Sequence, residues 1–252
     1  MLRASLLTTH LLLFCFAISG TAADAGTAAQ RFADDPSARE YLKRTEDRDN
    51  LWNGFPGFLA DISIYFEGKT YRGEVEVRPN RKVNLVIADE VRGWAERTLQ
   101  SIVYSSTRKP FAERYQGVGI VFGKDDLSPF GQLVELSGDS YQTRFRIRDN
   151  EILVIERTTA EYRISIHMLH VERDEEDAKT RQSFVVYYYD KTDGSLQRSE
   201  AIQDEKVRVG RYVLPLRWHE TEIRDGKAAY RALGLVRGTK KKKDPRRAGA
   251  AE

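Results

Sequence analysis

From residue 59 to about residue 237 apolar and polar residues alternate with a period of two, in runs broken by turn residues. Side chains two apart share one face of a strand, so the pattern calls for a sheet with one apolar and one polar face. Ile62, Ile64 and Phe66 alternate with Asp61, Ser63 and Tyr65. After Glu67-Gly68, Tyr71, Gly73, Val75 and Val77 alternate with Arg72, Glu74, Glu76 and Arg78. Pro79-Asn80 then turns the chain into a third run over 83–87. Further runs over 118–122, 132–136, 141–148, 151–157, 161–172, 183–190, 195–202, 207–209, 212–223 and 229–237 bring the prediction to about a dozen antiparallel strands. Asp149-Asn150, Asp193-Gly194 and Asp225-Gly226 mark hairpin turns, since these residues accept positive φ. The acidic stretch 172–177 is a loop between long strands. No fixed-length repeat is present, which disfavours a propeller or solenoid.

Two segments change period. Ser37 is suited to cap a short helix through Arg44. Asp89 is suited to cap a longer one through residue 104, where Val91, Trp94, Leu99, Ile102 and Val103 fall near helical spacing. A single sheet of this width must curl or split to cover its apolar face. The expected fold is therefore mainly β (α+β): a strongly bent antiparallel sheet or half-barrel with one or two helices on its concave side.

The ends differ from the body. Arg3 followed by a mostly apolar run over 6–18 and small residues over 19–25 has the form of a cleavable signal peptide, with Ala23-Asp24-Ala25 or Thr21-Ala22-Ala23 as the cleavage site. The apolar run is shorter than the roughly 20 residues that span a bilayer, so the mature chain carries no transmembrane segment. Cys15, the only cysteine, lies inside this leader after Phe14, where lipid attachment wants a small residue. Cleavage leaves no disulfide, thiol nucleophile or cysteine metal ligand, in keeping with a periplasmic or secreted protein. The chain divides into a leader (1–25), a flexible lead-in (26–37), one β-rich domain (38–238) and a disordered basic tail (239–252). The tail holds Lys240, Lys241, Lys242, Lys243, Arg246 and Arg247, and the net charge of +3 belongs to it rather than to the body. Such a cluster suits peripheral contact with an anionic membrane surface, and the near-neutral body gives no reason to expect nucleic acid.

Trp52-Asn53-Gly54-Phe55-Pro56-Gly57-Phe58-Leu59-Ala60-Asp61, followed by a strand and Tyr71-Arg72-Gly73, resembles the uncharacterised family called domain of unknown function 3386. Asn53 stands where that family usually has Asp. The resemblance covers roughly residues 40–237 and implies no activity. A more distant likeness, in strand order and in the segment 71–80, is to the bent-sheet lipoprotein-carrier superfamily. It implies a half-barrel with an apolar hollow for acyl chains.

Chemistry-bearing constellations are few. His167 and His170 are three apart in a strand, so alternation points them to opposite faces and denies them a shared ion; with His219 they lack acidic or cysteine ligands at supporting spacing. There is no Gly-x-Ser-x-Gly elbow, and Gly117-Val118-Gly119 lacks the third glycine of a nucleotide loop. Arg144, Arg146 and Arg148 share a strand face and are expected to pair with carboxylates such as Glu74 or Glu76, the alternative being a binding stripe for an anionic group. No metal or cofactor is expected.

Val185-Val186-Tyr187-Tyr188-Tyr189, and Ile164, Ile166 and Met168 beside Leu169 and Val171, make these strands apolar on both faces. That pattern fits either a covered core or a pocket lining. The leading expectation is a non-enzymatic envelope protein holding a lipid or lipidated partner. Its candidate lining is Ile62, Ile64, Tyr71, Val75, Trp94, Ile164, Ile166, Met168, Tyr188 and Trp218. The alternative is an interaction or structural module with a filled core. An enzyme with a perturbed polar group in the hollow stands third, with His170 and Glu220 the first residues to inspect. N-terminal sequencing of the exported protein should find a chain beginning at residue 24 or 26 with no titratable thiol; retention of Met1 would refute the leader.

Overall fold

The computed structural model describes residues 32–47, 52, 54–107 and 109–236. The leader, most of the lead-in and the basic tail lie outside them, as does Asn53. The elements run α1 (Pro36–Asp47), β1 (Phe58–Phe66), β2 (Lys69–Val77), β3 (Val83–Val86), α2 (Asp89–Ser106), α3 (Phe111–Arg114), β4 (Gly119–Phe122), β5 (Gln132–Ser137), β6 (Arg144–Arg148), β7 (Glu151–Thr158), β8 (Tyr162–Arg173), β9 (Lys179–Asp190), β10 (Leu196–Val209), β11 (Tyr212–Arg224) and β12 (Lys227–Val236). All twelve strands form one open, curved antiparallel sheet in the order β3-β2-β1-β12-β11-β10-β9-β8-β7-β6-β5-β4. Each strand beside its sequence neighbour is a hairpin partner; among the described residues only the β1–β12 pairing joins distant parts of the chain, closing the meander onto its own beginning.

Local chemistry explains most boundaries. Asp149 and Asn150 both take φ near +55° (54° and 56°), as do Asp225 and Gly226 (50° and 70°), the two-residue turn geometry that matches strand twist. Asp35, not Ser37, caps α1: its carboxylate accepts from the backbone N–H of Ser37 at 2.7 Å, and Pro36 occupies the first helical position, where a missing N–H costs nothing. Asp89 is likewise inside α2 rather than its cap, and its carboxylate meets Arg92 at 3.0 Å. The short α3 was not legible in the sequence; a single turn has no periodicity to show. The two runs expected at 195–202 and 207–209 are one continuous strand, β10, and its register against β11 shifts at Glu205/Lys206 because Leu216 is an extra residue on β11.

Directly opposed residues share a face, so the register can be followed across the sheet. Phe145 opposes Ile155, Ile155 opposes Ile166, and Ile166 opposes Val186. Two hydrophobic clusters therefore occupy one and the same inner face. At one end α2 lies on β1–β3, with Val91, Trp94, Leu99, Ile102 and Val103 buried against Ile62, Ile64, Val75 and Leu85. At the other, Leu42 of α1, Phe111 of α3 and Tyr115 just after it pack on Ile120, Val134, Phe145 and Ile147.

The aromatic turn anchors the first cluster. The Trp52 indole N–H donates to the carbonyl of Val213 at 2.8 Å. The Phe55 ring lies 4.3 Å from that of Trp52 and 5.2 Å from Tyr212. Gly57 has φ of 87° and approaches the backbone of Val77 so closely that a Cβ would fall 2.4 Å from the Val77 carbonyl oxygen. Phe55→Ala should lower stability by roughly 3–5 kcal/mol if the site does not collapse, measured as a shift of the urea midpoint. An unchanged midpoint would show that the turn is a rim rather than part of the core.

Candidate functional site

Between the two helix-covered ends, the inner face of β7–β9 is covered less completely. Ile155, Ile164, Ile166, Met168 and Phe184 are each only partly buried, whereas their neighbours toward either end are buried. This apolar trough is flanked by polar groups that sit inside the sheet's apolar face. Along β10 the inward residues are Arg198, Glu200, Ile202 and Asp204; along β11 they are Trp218, Glu220 and Glu222. Arg198, Glu200, Asp204 and Glu220 are all buried.

The network is bonded closely. The Tyr188 hydroxyl donates to Glu200 at 3.0 Å. Arg198 donates to the other Glu200 oxygen, and its guanidinium lies 3.7 Å from the Tyr188 ring centroid. Arg231 joins Glu220 at 2.8 Å to Glu222 at 3.2 Å. Glu220 also accepts the indole N–H of Trp94 at 3.3 Å and that of Trp218 at 3.4 Å, so it ties α2 to the sheet. Glu200 and Glu222 directly oppose one another across β10 and β11.

Burial dominates the titration of this group. Desolvation, reinforced by the nearby Glu220 and Glu222, pushes Glu200 up to about 7 despite the opposing pull of Arg198. Burial likewise raises Tyr188, with the Glu200 charge adding to it.

The ten residues expected to line a hollow divide in two. Ile62, Ile64, Val75 and Trp94 are buried in the cluster under α2, with Tyr71 packed at its edge. Tyr188 and Trp218 are buried beside the charged network, while Ile164, Ile166 and Met168 face the trough. The charged network itself was missed, apart from Glu220. Its signal was the alternation Arg198-x-Glu200-x-Ile202-x-Asp204, whose polar phase looks like a solvated face until the register places it inside.

Three other expectations change. A bulge between Met168 and His170 puts His167 opposite Val185 and His170 opposite Ser183, so both histidines lie on the outer face rather than on opposite faces. His167 meets Ser165 at 2.8 Å and His170 meets Glu172 at 3.0 Å. Among the described residues no group of three or more His, Cys, Asp or Glu is placed to hold a metal. The same bulge brings Val171 onto the inner face with Met168, since Val171 opposes Gln182 and Met168 opposes Phe184. Arg144 pairs with Glu135 and Glu156 at 3.0 and 3.5 Å and Arg146 with Asp126, not with Glu74 or Glu76, which lie on β2 toward the other sheet edge.

The sequence over residues 33–233 matches the family described as protein of unknown function (DUF3386). The chain belongs to that family. The segment 52–61 and the strand motif at 71–73 are thus the family likeness they resembled. No curated protein matches this DUF3386 member. Solved structures similar to it include an outer membrane lipoprotein-sorting protein domain from Vibrio parahaemolyticus, 8% identical with a TM-score of 0.30, covering 83% of this chain and 95% of that one. A LolA superfamily protein from Nitrosomonas europaea is 9% identical with a TM-score of 0.25, covering 79% and 91%. The MucA/MucB complex of Pseudomonas aeruginosa contains a chain 11% identical with a TM-score of 0.22, covering 81% and 95%. At this level of likeness no ligand or partner carries over to the DUF3386 chain.

A group whose folded pKa is raised binds its proton more tightly when folded. Glu200 therefore adds stability that is fully present below the unfolded carboxyl value and is lost as pH rises through about 7. Urea unfolding at pH 5 and pH 8 should show this loss, of order 3 kcal/mol at most, in the wild type and not in Glu200→Gln. Identical pH slopes in the two proteins would show that Glu200 is ionised throughout.

Proposed function

We propose that this DUF3386 member is an exported, non-enzymatic binding protein that takes an apolar ligand, a lipid or the acyl chain of a lipidated partner, in the trough of β7–β9. The observation that supports this is the row of half-buried apolar side chains Ile155, Ile164, Ile166, Met168 and Phe184, left between two clusters that helices cover. Apolar surface facing water costs about 25 cal/mol per Å², so a trough of this kind gains by accepting a chain of methylenes. The residues under α2 support the walls rather than touch the ligand, and the lining proper reduces to Ile164, Ile166 and Met168 with Tyr188 and Trp218 at its border. Among the described residues no helix is long and apolar enough to cross a membrane. Export rests on the leader sequence, and the basic tail would bring the mature protein to an anionic membrane surface.

The filled-core alternative retains one argument: α2 already occupies much of the inner face. The enzyme reading loses ground, because Glu220 is fully engaged by Trp94, Trp218 and Arg231 and His170 is exposed on the outer face.

Titration of lipid-stripped protein with the neutral fluorophore N-phenyl-1-naphthylamine should give saturable binding that is weakened at least about tenfold by Ile166→Asp and retained by Ile166→Leu. Binding that is unaffected by the aspartate, or absent from a folded wild type, would favour the filled-core alternative.

A further inference from the structure

At the end of the trough beyond Met168 and Phe184, the next rung of the inner face consists of Val171, Gln182, Asp204 and Trp218, each opposing the next. Asp204 is 2% exposed. One of its carboxylate oxygens, Oδ2, accepts from Gln182 Nε2 at 2.9 Å and faces Lys206 Nζ at 3.1 Å. The other, Oδ1, is buried and has no hydrogen-bond partner. An unsatisfied buried carboxylate oxygen is costly to keep, and proteins retain such atoms where something else completes them.

We infer that Asp204 Oδ1 is the docking point for the polar end of the bound ligand, and that this end carries an N–H or O–H donor rather than an anion. The inference rests on the trough reading above. The charge arrangement decides the sign. Lys206 already faces Asp204, Arg198 faces Glu200 and Glu222, and Arg231 faces Glu220 and Glu222. Arg157, opposite Ile164 on the same face, lies in the field of the Asp139 and Glu46 carboxylates. An anionic head entering here would meet carboxylates whose cations are engaged. A hydroxyl or ammonium head would instead complete Oδ1, and its apolar chain would run back along Met168, Ile166 and Ile164.

Dodecylamine, dodecanol and dodecanoate share one chain and differ only in the head. Titrated at pH 8 into the lipid-stripped full chain and followed by tryptophan fluorescence, the amine and the alcohol should each bind at least about tenfold more tightly than dodecanoate. Trp218, directly opposite Asp204, is placed to report the head. Asp204→Leu removes the acceptor and should leave the melting temperature equal or higher while bringing the three ligands to within about twofold of one another. Should the leucine variant not fold, Asp204→Asn serves: it keeps an acceptor without the charge, so the alcohol should be retained and the amine weakened about tenfold. Dodecanoate binding as tightly as the others, or a preference that survives these substitutions, overturns the assignment to Asp204 and leaves the trough reading standing. No binding by any of the three, with the protein folded, overturns both.

Discussion

Glu220 sits where three elements meet. Its two oxygens receive the indole of Trp94 from α2, the indole of Trp218 from its own strand and the guanidinium of Arg231 from β12. A carboxylate this buried would be untenable alone, and with one donor removed the remaining charge would have to be desolvated without compensation. The contact ties α2 to the sheet on both counts: the carboxylate takes the Trp94 indole, and the Trp94 ring packs against Phe66 in the cluster that also buries Leu233. Through Arg231 and Glu222 the same carboxylate is linked to Arg198 and Glu200.

The sheet supplies the frame. Closing β1 onto β12 converts a meander into a continuous surface on which residues distant in sequence share a rung, as Phe66, Arg231, Glu220, Ile202, Phe184 and Met168 do. That rung passes from the helix-covered end, through the charged network, to the trough. The open edge at β4 is closed locally, with Asp34 and Asp35 bonded to the backbone of Ile120 and Arg39 to the carbonyl of Val118. An exposed edge invites pairing with another chain, and this segment prevents it there.

The two features on which the proposed binding rests belong to different parts of this frame. The trough is what the helices leave uncovered; the charged network is what the sheet keeps inside at a cost. A scaffold with no role but its own stability would gain from apolar residues at Glu200 and Asp204, since well-packed apolar substitutes for buried ion pairs are often as stable or more so. Their presence beside a less covered apolar surface supports the proposed binding role of the inner face.

The period-two alternation determined the fold class by itself, because a strand's faces are fixed by residue parity before any partner is chosen. The Asp149-Asn150 and Asp225-Gly226 hairpins and the core face of α2 were equally local, set by turn conformation and helical spacing. What the tertiary structure alone decided was which phase of each alternation faces inward and how far each helix reaches. The bulge at 168–170 resets parity within β8, so His170 and Val171 exchange the faces that counting gives them. The inward placement of Arg198, Glu200 and Asp204 follows from register against Tyr188, Val186 and Gln182. Register is a property of two strands, and no single strand's residues encode it without their partner.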